Sequence, residues 1–241
     1  MTEISQLIMN YVAVWNEPDT GERRRRIRSV WAPEGTTCYR LLDARGYDAI
    51  EARVTGSWDK WLREGKHLFR PKTMVSHHDA VKFEFVMVTV PDGEVAANGL
   101  CFLLLNSDGR IKHDYQFNPS ANDSSDVADG YLTMWNEPDP MIRSRQITEL
   151  WAHDGMLISD ASVSKGGAAI EARVTGMRNS DAAKGLCFLS ANATQAHHGL
   201  MKFSGKLAGL NNAAASAAWT DLFILDESGR IQFDYQFAEP I

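Results

Sequence analysis

Tyr11 and Tyr131 are the first residues in this sequence whose type and setting suit them to chemistry. Each stands four residues before a tryptophan, Trp15 and Trp135, in a stretch whose apolar residues recur at helical spacing. Residues four apart share a helix face, so both phenols and both indoles are expected to point inward. A buried tyrosine hydroxyl either finds a local partner in the core or is aimed at a ligand oxygen, and residue type leaves both readings open. Asp221 lies in Trp219-Thr-Asp-Leu-Phe-Ile-Leu225, where strand alternation places it on one face with Trp219 and Phe223. A carboxyl among such neighbours is desolvated and its pKa should rise, which would suit a hydrogen-bond donor or proton carrier. The alternative is an aspartate at a strand end, bonded to backbone.

His77-His78 and His197-His198 invite a metal reading. Adjacent strand residues face opposite ways, however, so one histidine of each pair, taken as His78 and His198, is expected in a pocket, and no repeated ligand set completes a metal site. Along the last strands His113, Tyr115 and Phe117, and again Phe233, Tyr235 and Phe237, alternate; they are expected to line a pocket or a sheet interface. The run Arg23-Arg-Arg-Arg26 with Arg28 lies in a helical stretch with acids nearby and reads as a solvated face.

An internal repeat must position all of these. Gly46-Tyr-Asp-Ala-Ile-Glu-Ala-Arg-Val-Thr-Gly56 returns as Gly166-Gly-Ala-Ala-Ile-Glu-Ala-Arg-Val-Thr-Gly176, nine of eleven residues identical. The same spacing of 120 relates Trp15-Asn-Glu-Pro-Asp19 to Trp135-Asn-Glu-Pro-Asp139, and Gly109-Arg-Ile-x-x-Asp-Tyr-Gln-Phe117 to Gly229-Arg-Ile-x-x-Asp-Tyr-Gln-Phe237, with no gap called for. So long a period means two copies of a complete domain: residues 1–119, a polar linker at 120–126, and residues 127–241. Within each copy the pattern predicts a helix ending at Asn-Glu-Pro-Asp, and a second one begun by Asp19 with Glu22 as a capping box, or by Asp139-Pro140. A short strand follows (36–42; 156–159), then a helix from the repeated glycine, shorter in the second copy. Four long strands complete each copy, about 67–76, 79–90, 95–106 and 110–117, and again 185–196, 199–208, 214–226 and 230–237. The fold class is α+β: two tandem cone-shaped domains, each of three helices packed on a curved, mostly antiparallel sheet.

The 241 residues carry a formal net charge of −6, unevenly divided: residues 1–120 hold 16 basic and 16 acidic side chains, residues 121–241 hold 9 and 15. Neither half has the basic excess of a nucleic-acid binder. Cys38, Cys101 and Cys187 are dispersed and unrepeated, which argues against a disulfide framework and fits a reducing compartment. The beginning of the chain lacks the pattern of a signal peptide and no run is apolar enough to span a bilayer, so a cytoplasmic protein without membrane association is expected.

Taken together, helix Y-x-x-x-W-N, then W-A, G-x-x-A-I, a strand-initiating H-H and D-G-R-I resemble the SnoaL-like branch of the nuclear transport factor 2-like superfamily. The resemblance implies a bent sheet wrapped on helices around a mostly apolar pocket, with dimerisation through the sheets, so that two fused copies would pair within one chain. That superfamily holds ketosteroid isomerase, polyketide cyclases, dehydratases and plain binding proteins, so fold does not settle function. Tyr11 and Tyr131 match the tyrosine that in ketosteroid isomerase donates to the substrate oxyanion. Its strand aspartate falls on Asp221 and, in the first copy, on Cys101. The family's Asp-Pro, where isomerases place their base, is replaced by Tyr39-Arg40 and by Ser159-Asp160, a departure that argues against isomerase-type proton abstraction.

The reading is a protein that binds a small, largely hydrophobic molecule, needing no cofactor or metal. Tyr131, Asp221 and His198 are the candidates for acid/base work of cyclase, isomerase or dehydratase type. Tyr11, Trp15, Tyr39, His78, Cys101, Tyr115, Trp135, Trp219, Phe223 and Tyr235 are the candidates for lining the pockets. Because only Asp221 of its repeat pair can ionise readily, the second cavity is expected to be the more polar and chemically competent one. The rival readings are a binding or scaffolding module without turnover, and one copy serving only to complete the other.

Overall fold

The computed structural model describes residues 2–118, 125–182, 184–191, 194–209 and 214–241. The chain divides into two compact units, Met1–Ser120 and Ala121–Ile241. Of the expected linker, residues 120–124 lie outside the described residues, Ser125 caps a helix by accepting from the amide of Ala128, and Asp126 is already helical.

The first unit runs α1 (Glu3–Asn16), α2 (Thr20–Val30), β1 (Trp31–Tyr39), β2 (Leu42–Arg45), α3 (Gly46–Trp61), β3 (His67–His77), β4 (Ala80–Thr89), β5 (Val95–Leu105) and β6 (Ile111–Phe117). Its sheet has the order β2-β1-β6-β5-β4-β3, antiparallel except for the β1–β6 pair. The repeated Asn-Glu-Pro-Asp ends α1 by side-chain chemistry. Asn16 acts as a strand partner, its Nδ2 donating to the Phe69 carbonyl at 2.8 Å and its Oδ1 accepting from the Phe69 amide at 2.9 Å. Asp19 caps α2 by accepting from the Glu22 amide, but the return bond to the Asp19 amide comes from Glu17 Oε1 (3.2 Å), not from Glu22, which pairs with Arg25. The turn is clamped by Arg23, which is buried: it donates to the carbonyls of Glu17 and Pro18 and to Thr55 Oγ1. Arg24, Arg25 and Arg26 do form the expected charged face, paired with Glu51, Glu22 and Glu17. Ile50 and Val54, one turn apart on α3, are fully buried and anchor that helix in the core with Tyr11, Trp15 and Trp31.

The second unit repeats this plan as α4 (Asp126–Asn136), α5 (Pro140–Leu150), β7 (Trp151–Ser159), β8 (Ser162–Lys165), α6 (Gly167–Ala182), β9 (Leu186–Ser190), β10 (Gln195–His197), β11 (Leu200–Gly209), β12 (Ala217–Leu225) and β13 (Ile231–Glu239). Three expectations need correction. Helix α6 spans 16 residues, as does α3, so it is not the shorter of the two. The single strand expected at 185–196 is two segments, β9 and β10, both pairing with β11. The ungapped repeat also slips: Asn136 clamps Phe188 at a separation of 52 residues where Asn16 clamps Phe69 at 53. Arg143 is buried like Arg23 and holds the matching turn through the Glu137 carbonyl and Thr175 Oγ1.

A bulge in the last strand of each unit decides what faces inward. Leu105 opposes Ile111 and Leu104 opposes His113, leaving Lys112 extra; Leu225 opposes Ile231 and Ile224 opposes Phe233, leaving Gln232 extra. One extra residue reverses the strand's phase. Ile111 and Ile231 face the core, but beyond the bulge Asp114 and Gln116, and Asp234 and Gln236, are the residues turned towards the helices. The hairpin glycines before these strands, Gly109 and Gly229, adopt the positive φ (79° and 81°) that such tight turns require.

Candidate functional site

In the first unit α1, β1, β5 and β6 deliver side chains to one buried polar cluster. The Tyr11 hydroxyl donates to Asp114 Oδ2 (2.9 Å), Thr37 Oγ1 donates to the same oxygen (2.9 Å), and Gln116 Nε2 donates to it (3.0 Å) and to Tyr11 Oη (2.9 Å). Cys101 Sγ lies 3.5 Å from the Tyr11 hydroxyl. Gln116 Oε1 in turn accepts from Arg53 Nη2 at 2.5 Å. Asp114 is wholly buried and its Oδ1 has no hydrogen-bond partner. Burial pushes its pKa up to about 6, against the pull of Tyr11, Thr37, Gln116 and Arg53, which favour the charged form. Burial, then the charge of Asp114, raises the Tyr11 phenol well above 10, so it stays a donor at neutral pH.

This cluster forms one wall of a cavity of about 790 Å³. Trp15, Trp61, Phe69, Phe85 and Met87 supply apolar surface, while Tyr11, Tyr39, Arg53, Asn98 and Gln116 supply polar atoms. Such a size and a few convergent polar groups on an apolar lining are what small-molecule sites have. Asp114 stands behind Tyr11 and Gln116 and acts on the cavity through them.

The second unit rearranges the same positions. Leu157 replaces Thr37, and Asp221 replaces Cys101, so two carboxyls meet in the core. Tyr131 donates to Asp234 Oδ2 (2.6 Å), not to Asp221, and Gln236 Nε2 donates to Tyr131 (3.0 Å). Asp221 accepts from Trp219 Nε1 at 2.7 Å and has Asp234 as its neighbouring buried carboxyl. Burial and then the charge of Asp234 push Asp221 well above the usual carboxylate range; burial also raises Asp234. Trp219 fills the space above them. It lies over Gly205, where an added Cβ would come within 2.5 Å of Trp219 Cζ2, and packs against Phe188, which stacks on Trp135. The first unit reverses this cross-strand pair: the aromatic, Phe85, is on β4 and the glycine, Gly99, on β5. A cavity of about 280 Å³ lined by Trp135, Asn136, Phe188 and residues of α6 does not include Tyr131, Asp221 or Trp219 in its lining.

Of the candidates, Tyr11, Trp15 and Tyr39 line the large cavity and Cys101 lies behind Tyr11. Tyr131, Asp221, Trp219 and Phe223 come together in the second core. His198 and His78 do not join either cluster. Both are exposed turn residues with positive φ (51° and 54°), and His198 stands five positions along from Phe203, the partner of Asp221, about 17 Å of strand away. Tyr115 and Tyr235 face the opposite side of the sheet from the polar clusters, as register partners of Phe102 and Leu222. Asp114, Gln116, Thr37 and Arg53 were not singled out from sequence, although Asp-x-Gln and the arginine belong to the repeated segments and a polar residue repeated inside a strand is a signal of its own. Among the described residues no group of three or more His, Cys, Asp or Glu could hold a metal ion, and no helix is long and apolar enough to cross a membrane.

No protein-family model matches the chain, and no curated protein matches it. Solved structures do. A putative isomerase of the SnoaL-like family from Agrobacterium tumefaciens is 27% identical over 49% of this chain and 98% of that one, with a TM-score of 0.45. A putative polyketide cyclase from Sinorhizobium meliloti is 13% identical over 48% and 99%, TM-score 0.37. An NTF2-like protein of unknown function from Exiguobacterium is 17% identical over 48% and 99%, TM-score 0.39. The chain is similar, over about half its length, to these SnoaL-like and NTF2-like proteins.

Proposed function

We propose that the protein binds a small, largely hydrophobic molecule in the cavity of its first unit. The observation that carries this reading is the cavity of about 790 Å³, walled by aromatic side chains and by a polar cluster that is already hydrogen-bonded before any ligand arrives. Preorganised walls lower the cost of binding. In the second unit Trp219 packs over Gly205 and donates to the buried Asp221.

A second reading, acid/base turnover of cyclase, isomerase or dehydratase type, is favoured by one observation: Asp114, with its pKa near 6, hydrogen-bonds the Tyr11 hydroxyl at the cavity wall. Against it, the Tyr11 proton is directed at Asp114 and not at the cavity. Thermal-shift and tryptophan-fluorescence titration with a panel of neutral and charged aromatic compounds tests binding. Ala97, on the inward face of β5 beside the cavity, provides the control. Binding should saturate at one site and be lost in Ala97→Trp, and a panel without any binder would refute the proposal. Deuterium incorporation from solvent into bound carbonyl compounds reads turnover; its absence leaves binding as the function.

A further inference from the structure

The two units contain the same arginine in the same repeated segment, Arg53 and Arg173, and only one of them is satisfied by protein. Arg173 donates from Nη2 to Gln236 Oε1 (2.8 Å) and Ser159 Oγ (3.1 Å), and from Nη1 to Ser162 Oγ (2.9 Å). Arg53 keeps the equivalent bond to Gln116 Oε1. Tyr39 and Leu42 stand where the two serines would be, and neither accepts from it. Its Nε is buried without a partner, its Nη1 makes no hydrogen bond to the described residues, and no carboxylate there pairs with it. The guanidinium instead lies against two rings of the cavity wall, 5.3 Å from Trp15 and 5.6 Å from Tyr39. A half-buried cation held by aromatic faces and one amide, with donors to spare, is suited to bind an oxyanion. The rest of the lining agrees in sign: Arg40 and Lys60 also border the cavity, against the single acid Asp43.

We infer that the ligand of the first cavity is an aromatic anion, its oxyanion held by Arg53 and its rings packed on Trp15, Phe69 and Phe85. This rests on the cavity being a binding site, as proposed above. It adds that the ligand's charge, and not its apolar surface alone, selects it. The serine pair of the second unit makes Arg173 a structural residue that needs no such partner.

Two fluorescent probes with the same rings separate the claims: 8-anilinonaphthalene-1-sulfonate, whose sulfonate stands in for the ligand's oxyanion, and neutral N-phenyl-1-naphthylamine. The full-length protein should bind the sulfonate at least about tenfold more tightly, since a charge-assisted hydrogen bond is worth that much or more. Arg53→Leu should abolish this preference by weakening the sulfonate far more than the neutral probe, and Arg53→Lys should restore part of it. Circular dichroism of each variant reports that the fold is kept. Equal affinities in the wild type, a preference that survives Arg53→Leu, or sulfonate binding that persists in Ala97→Trp would overturn the inference. Failure of both probes to bind would instead sink the cavity reading itself and this inference with it.

Discussion

Replacing Asp114 by asparagine should make the protein's stability less dependent on pH, in a direction and by an amount that the buried cluster dictates. Asp114 ionises at an ordinary 3.8 when exposed and at about 6 in the folded chain. The unfolded chain therefore releases this proton first. The contribution of Asp114 is most favourable below about pH 4, falls as pH rises through the window from 3.8 to about 6, and is constant above it. A gap of about 2 pH units at about 1.36 kcal/mol each amounts to about 3 kcal/mol lost between pH 4 and pH 7. Asparagine copies the protonated acid: its oxygen can accept from Tyr11, Thr37 and Gln116 as Asp114 Oδ2 does, and its amide takes the place of the unpartnered Oδ1. All other titrating groups are common to both proteins, so the difference between their urea-unfolding free energies isolates this one. The Asp114→Asn variant should gain about 3 kcal/mol on the wild type between pH 4 and pH 7. Carbon-13 NMR of the Asp114 carboxyl should show the titration near pH 6 directly. A difference that does not change with pH over this range would refute the claim that burial outweighs the three donors.

Two other perturbations address the second unit and the relation of the copies. Gly205→Ala should cost about 1–3 kcal/mol in thermal unfolding, because its Cβ would come within 2.5 Å of Trp219 Cζ2. Combining Gly205→Phe with Trp219→Gly, the first unit's arrangement, should recover most of what Gly205→Phe loses alone; strict additivity would show that the pair is not one packing unit. That the two copies pair through their sheets is a proposal with its own test. Residues 1–120 expressed alone should then dimerise or aggregate, as size-exclusion chromatography with light scattering would report, and a well-behaved monomer would exclude it.

Much of the fold was readable because its signals are local. Helix α1 announces itself by the spacing of Ile8, Tyr11, Val12 and Trp15, its end by Asn16-Glu-Pro-Asp19, and the last hairpin by Gly109. The repeat itself established that there are two copies, and the four-residue spacing to Trp15 and Trp135 that Tyr11 and Tyr131 point inward. What the repeat concealed is that identical residues do different work. Arg173 is saturated by Ser159 and Ser162, while Arg53 faces a cavity because Tyr39 and Leu42 replaced them, residues that lie 14 and 11 positions from the arginine and touch its surroundings only after β1 and β2 fold against α3.

The polar heart of the site was hidden by one residue. Counting in twos from the buried Ile111 puts His113, Tyr115 and Phe117 inside, while alternation alone leaves them open between a pocket lining and a sheet interface. The bulge at Lys112 reverses the count, turning Asp114 and Gln116 inward and Tyr115 to the other face. Local sequence determined the helices, the strands and the duplication, since these follow from periodicity, caps and turns within a few residues. The phase of β6 against β5 and the packing of Trp219 over Gly205 in the second core depend on which residues stand opposite one another across strands. Only the tertiary structure could decide them, because register is a property of the pair of strands and not of either alone.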